Sequence, residues 1–106
     1  MTYPLCDRTV TLYRKSGEQV ERYVLANCYY RFTDVLEDGR FQRKFLLVRP
    51  GVFPICPGDR VLEGIGPEEV DWETFLPVAV PGLSQVEYAT PNYWLGKLIH
   101  WEAGRK

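Results

Sequence analysis

Three cysteines and a single histidine carry the most reactive side chains of this 106-residue chain. Cys6, Cys28 and Cys56 stand well apart, and His100 lies near the other end. A thiolate beside an imidazole is a nucleophile and its base, so Cys28 or Cys56 paired with His100 is the one covalent chemistry these residues allow. Zinc is a poorer fit, because the cysteine count is odd and no Cys-x-x-Cys pair exists to grip it. Neither setting looks like that of an activated thiol. Cys56 sits between Ile55 and Pro57, and Cys28 precedes Tyr29 and Tyr30. Buried structural thiols are therefore expected. His100, between Ile99 and Trp101, reads as a packing or surface residue of a strand. With no glycine-rich phosphate loop, Gly-x-Ser-x-Gly elbow or His-Glu-x-x-His helix, the sequence argues against an enzyme and calls for no cofactor or metal.

The elements that position these residues are short. Proline and glycine punctuate the chain about every ten residues, which suits strands rather than long helices. Thr9–Tyr13 alternates as a first strand, Lys15–Glu18 turns, and Val20–Leu25 returns. Cys28–Phe32 puts Cys28, Tyr30 and Phe32 on one face and Tyr29 and Arg31 on the other, with a bend or bulge at Ala26–Asn27 that would join it to the preceding strand. Asp38-Gly39 within Leu36–Arg40 is the clearest hairpin signal. Phe41–Arg49 begins polar and turns apolar at Phe45–Val48, as a strand does when only one end is covered on both faces. Pro57-Gly58 favours a type II turn that Asp59 closes, leading into Arg60–Glu63. Gly66–Leu76 is the one helix expected: Pro67 suits its first position, the acids at 68, 69 and 71 suit its N-terminal end, and Trp72, Phe75 and Leu76 share a face. Short strands at Val78–Val80, Gln85–Ala89 and Tyr93–Leu95 follow, broken at Pro91-Asn92, and Gly96-Lys97 turns into Leu98–Glu102.

This pattern predicts a mainly β fold: one small domain over residues 1–106, a β-barrel or sandwich of about seven short strands with one short helix. Fifteen aromatic residues and 45% apolar content supply a core that a disordered chain lacks. No apolar run approaches the roughly 20 residues that a bilayer span needs, and no secretion signal opens the chain, so neither a membrane nor export is expected. Net charge is −1, which gives no global field to attract nucleic acid. Its distribution is uneven. Residues 1–49 hold nine basic against six acidic side chains, and residues 50–106 hold four against eight. Such polarity suits subunits that meet head to tail.

Taken together, the order and spacing resemble those of the small head–tail joining proteins of tailed bacteriophages and prophages, the minor capsid or head-closure (stopper) proteins. The likeness runs over nearly the whole chain. It lies in the opening strand Thr9–Tyr13, the aromatic segment Cys28–Phe32, the hairpin into an apolar strand, the Pro-Gly-Asp-Arg-Val-x-x-Gly step at Pro57–Gly64, the Trp-containing hairpin Tyr93–Glu102 and the basic end Gly104–Lys106. The resemblance implies a virion protein made in the bacterial cytoplasm, a β-barrel subunit that forms a homo-oligomeric ring between portal or adaptor and tail in the assembled particle, with a monomer as the alternative state in isolation. DNA would be present only as channel contents. The loop it implies toward the channel matches Thr33–Arg40, with Asp34, Glu37, Asp38 and Arg40, and carboxylates there would not grip phosphate. Candidates for subunit contacts are Trp72, Trp94, Trp101, Arg43 and Lys44, with core packing as the ordinary role of the tryptophans. The alternative is an OB-like single-stranded nucleic-acid module using Tyr29, Tyr30, Phe32 and Phe41 as a stacking platform near Arg31, Arg40 and Arg43.

Overall fold

Period-two alternation and two-residue turns build the sheet. The computed structural model describes residues 6–51 and 53–105, and at residues 34, 35, 37 and 41–43 the backbone alone. Seven strands form among them: β1 (Arg8–Ser16), β2 (Gln19–Glu37), β3 (Arg40–Pro50), β4 (Arg60–Glu63), β5 (Leu83–Gln85), β6 (Tyr88–Trp94) and β7 (Lys97–Gly104). Every pairing is antiparallel, in the order β5-β4-β1-β2-β3-β7-β6. The protein is a small, mainly β domain, with its sheet curled into a half-barrel.

Two corners produce the curl. β2 pairs with β1 through Cys28 and with β3 from Tyr29 onward, so a single strand serves both ends of the sheet. The bend falls at Asn27, whose φ is 59°, where the register to β1 slips by a bulge. This is the corner expected at Ala26–Asn27, and a bulge re-aims a strand in this way. The second corner is Val86-Glu87. The outermost strands β5 and β6 are consecutive pieces of chain joined there. Val86 exchanges backbone hydrogen bonds with Gly58 and Asp59 on the β4 side, and the Glu87 N–H donates to the Gly104 carbonyl on the β7 side. The chain itself thus links the two edges of the sheet.

The core follows from the alternation. Val10, Leu12, Leu25, Cys28, Tyr30, Phe45, Leu47, Val61 and Ala103 project inward and are buried together with Ile55 and Val86. β1 is buried on both faces from Val10 to Tyr13. Its second face is covered by the segment after β4, where Phe75 and Leu83 pack on Tyr13. The polar atoms on that face are satisfied, as burial requires. The Thr11 hydroxyl donates to the Gly64 carbonyl and accepts from the Gly66 N–H, both at 2.8 Å, and the Tyr13 hydroxyl donates to the Pro67 carbonyl at 2.7 Å. In β3 the apolar half lies between β2 and β7, with Phe45 and Leu47 buried and Leu46 and Val48 half-buried.

The helix expected over Gly66–Leu76 does not form. A single turn closes from Phe75 N–H to the Asp71 carbonyl, and a second from Val80 N–H to that of Leu76. The reason is tertiary. The Arg60 guanidinium takes the carbonyls of Trp72 and Phe75 at 2.5 and 2.7 Å, which a helix would have used for its own ladder, and Pro77 lacks the N–H to extend it. Val78–Val80 is likewise a turn and not a strand, held between Pro77 and Pro81. Pro91-Asn92 does not break the chain. It lies inside β6, an edge strand among the described residues, where a missing N–H is tolerated. The closing turn is Leu95-Gly96, one residue earlier than Gly96-Lys97, with Trp94 opposite Lys97.

Candidate functional site

Three surface features stand apart from the core: an arm, a hairpin tip and a pocket. The arm is the far end of the β2–β3 hairpin. β7 pairs with β3 only as far as Leu46, so Thr33–Glu37 and Arg40–Lys44 are paired with each other and, among the described residues, with no third strand. Five residue pairs at about 3.3 Å per residue give an arm of about 16 Å. Its turn is Asp38-Gly39, both at positive φ (50° and 74°), as a tight hairpin with right-handed strand twist demands. Asp38 and Arg40 are exposed at its end. Asp34 stands opposite Arg43, Thr33 opposite Lys44 and Glu37 opposite Arg40, so acidic residues on one strand face basic ones on the other. The side chains of Asp34, Glu37 and Arg43 lie outside the described residues, as does that of Phe41.

The tip is the β6–β7 turn. Tyr93, Trp94 and Leu95 are 62%, 61% and 86% exposed, an apolar cluster at the end of a two-stranded ribbon. Leu95 holds φ at 51°, a left-handed conformation that costs an ordinary side chain about 1–2 kcal/mol. The other two tryptophans differ from Trp94. Trp101 packs against the main core, and Trp72 packs on the smaller cluster under the Arg60 guanidinium, 3.7 Å above its ring. Lys44 is half-buried.

The pocket, of about 670 Å³, opens where the arm leaves the sheet. Phe32 and Phe45 form one wall, and Leu76, Pro77, Val78, Gly82 and Leu83 of the turn-rich segment form the other. Ser84, Gln85, Glu87 and Arg105 supply the polar rim, with Arg105 3.5 Å from the Glu87 carboxylate. Such a size is within the range of small-molecule and peptide sites. The sequence gives little sign of this pocket, because it is made by residues that local pattern assigns to a helix and a strand.

Cys28 and His100 are placed apart. Cys28 is fully buried, and burial pushes its thiol up to about 11, against a smaller opposing pull from Arg49. Burial and the Asp7 charge also raise Cys6. Cys28 shares the inward face with Tyr30 and, across the ladder, with Leu47 and Ala103, whereas His100 alternates to the other face of β7, two strands away. Two strand spacings are about 9.5 Å, so these two residues do not meet. Cys56 is half-buried in the Pro57-Gly58 turn. Among the described residues no group of three or more His, Cys, Asp or Glu could hold a metal ion, and no helix is long and apolar enough to cross a membrane.

The aromatic platform is divided in the same way. Tyr30 is buried against Phe32 and Phe45, donates its hydroxyl to Ser84 at 3.2 Å, and has its phenol pushed up to about 12 by burial. Tyr29 lies on the outer face and accepts a hydrogen bond from Arg31. The alternation expected for Cys28–Phe32 is therefore present, and it separates Tyr30 and Phe32 from Tyr29.

Sequence reasoning found Asp59 at the Pro-Gly-Asp turn but missed Arg14, the partner that anchors it. The Asp59 carboxylate, 3% exposed, accepts from Arg14 Nε at 2.9 Å and Nη2 at 2.7 Å, and from the Cys56 N–H at 2.8 Å. Arg14 also donates to the Pro54 carbonyl and lies over the Tyr23 and Phe53 rings. A charged residue after Pro-Gly was the only available signal. Its partner lies 45 residues away. No family model matches the chain, and neither a curated protein nor a solved structure proves similar to it.

Proposed function

We propose that this chain is a structural subunit of a tailed-phage or prophage particle, a head–tail connector that works by assembling into a ring between the portal or its adaptor and the tail. The observation that carries the reading is the arm. A five-pair ribbon that no third strand flanks among the described residues is a costly thing to leave on a small domain unless it reaches into a shared space. In a ring, each copy would send its arm, with Asp34, Glu37, Asp38 and Arg40, toward the axis, where alternating charge lets DNA pass without being held. The bonded, inward-facing core makes each subunit a rigid block, which suits a device that acts through shape. Charge asymmetry between the chain halves gives neighbours a direction. Lys44 near the arm's base and Trp94 at the hairpin tip are the contact candidates left outside the core clusters, against which Trp72 and Trp101 pack; the side chain of Arg43 lies outside the described residues.

A nucleic-acid module gains less support, because Tyr30 is buried in the core and Phe32 lines the pocket on the inward face, apart from Tyr29 on the outer one. Deleting the coding sequence from the producing phage or prophage and imaging particles by electron microscopy tests the reading. DNA-filled or leaking heads without tails are expected. Heads that join tails normally would end the connector assignment.

A further inference from the structure

The pocket lies in line with β7, at a break in the curled sheet. β7 ends at Gly104 with β6 on one side and β3 on the other, and the next residue, Arg105, already lines the pocket. Extended chain in line with β7 would run on between β5 and the part of β3 that β7 leaves unpaired. Both flanks of this break present backbone hydrogen-bonding groups. In an antiparallel ladder, successive residues point their N–H and C=O to opposite sides. The Val86 N–H donates to the Asp59 carbonyl on the β4 side, so alternation turns Ser84 toward β4 as well and turns Leu83 and Gln85 away. The Leu83 N–H accordingly bonds the Val80 carbonyl instead. The Leu83 carbonyl and both backbone groups of Gln85 are left on the outer edge of β5, where no strand pairs among the described residues. On β3, the Gly51 N–H donates to the Ile99 carbonyl of β7, and the same alternation turns Phe45 and Arg43 to that side, beyond the last β3–β7 pair at Leu46. Phe32, Phe45 and Leu83 make the walls apolar, and the charges at the rim, Glu87 and Arg105, pair with each other.

We propose that the break receives a short extended segment of a partner protein, which adds a strand in line with β7 by bonding the open edges of β5 and β3. Backbone groups in ladder register select an extended peptide, and the apolar walls select apolar side chains at its alternate positions. Size points the same way. β5 offers three residues, about 10 Å of edge, which suits a short segment, whereas a stable dimer buries roughly 800 Å² on each partner. The described part of a second copy also holds no strand to give, since each of its seven is already paired. The inference stands apart from the connector reading and names a docking site on the subunit itself.

The probe is a set of fluorescent heptapeptides with leucine, valine or phenylalanine at alternate positions and threonine between them, titrated with the full chain and read by anisotropy. At least one should bind, and methylating its alternate backbone nitrogens should weaken binding more than about tenfold, because the ladder loses its donors while the side chains stay. Gln85→Pro should weaken binding likewise. It removes an outward N–H from an exposed edge residue and leaves the Val86 bonds on the β4 side, so the thermal midpoint should hold. Val78→Arg, at a rim residue 94% exposed, narrows the mouth without touching the core and serves as the second variant. Amide exchange at Gln85 and Phe45 should slow in the complex. Binding that tolerates N-methylation, or that leaves Gln85 exchange unchanged, would mean an apolar pocket with no added strand. Failure of every peptide to bind at millimolar concentration refutes the site outright. Self-association in sedimentation velocity that Gln85→Pro abolishes would place a second copy in the break and refute the foreign donor. Each of these outcomes leaves the connector reading to the deletion experiment.

Discussion

Removing the Asp59 carboxylate should unfold this domain more readily than removing most of its apolar side chains. Asp59 is 3% exposed and accepts three hydrogen bonds, two of them from the Arg14 guanidinium in a forked pair. In Asp59→Ala the Cys56 N–H loses its acceptor beneath the Pro-Gly turn, which costs about 1–3 kcal/mol. Arg14 loses its counter-charge, and breaking a buried pair from one side costs about 3–5 kcal/mol. That second figure needs discounting, because Arg14 is 22% exposed and keeps the Pro54 carbonyl. A total of about 4 kcal/mol remains, a large part of the 5–15 kcal/mol typical of a whole domain. At about 4 °C or more per kcal/mol for a chain near this size, the midpoint falls by roughly 15 °C. Asp59→Asn keeps an acceptor for Cys56 and should cost about half as much. Urea unfolding at pH 7, followed by tryptophan fluorescence, reads both. A double-mutant cycle with Arg14→Met should give a coupling above about 1.5 kcal/mol. If Asp59→Ala stays within about 1 kcal/mol of the parent, or the cycle is additive, the pair does not hold β1 to the turn and the reasoning fails.

Gly66→Ala should cost about 1–3 kcal/mol in thermal unfolding, because its Cβ would collide with the Tyr13 hydroxyl that bonds Pro67. Leu95→Asn should raise stability by about 0.5–1 kcal/mol by relieving the left-handed leucine; a loss of that size would show that the leucine packs within its own subunit. Cys28 should resist iodoacetamide at pH 8 in the folded chain and react on unfolding in urea. Its folded thiol titrates near 11 against 9.0 for an open one, so the unfolded chain releases the proton first. The Cys28 contribution is then full below about pH 9 and is lost as pH rises toward 11, by about 2–3 kcal/mol; Cys28→Ser should remove that part and leave the loss above about pH 10 that the raised Tyr30 phenol contributes.

Periodicity and turn chemistry act over a few residues, and those features were legible from the chain alone. Cys28–Phe32 declared its inward face through alternation, Asp38-Gly39 and Pro57-Gly58 declared their turns through the φ angles they favour, and Ala26–Asn27 declared a bend. A small, mainly β domain of about seven strands followed from these. Contacts between residues 12 to 50 positions apart are invisible to such signals. Arg60 withdrew two carbonyls from the expected helix, β1 became buried on both faces because the displaced segment covered it, and Arg14 found Asp59 across the sheet. The arm, the tip and the pocket arose in the same way, from where ladders stop and which edges the corner at Val86-Glu87 brings together. Local pattern chooses strands and turns because backbone geometry depends on near neighbours; the sites await the tertiary fold because a surface exists only once distant segments share it.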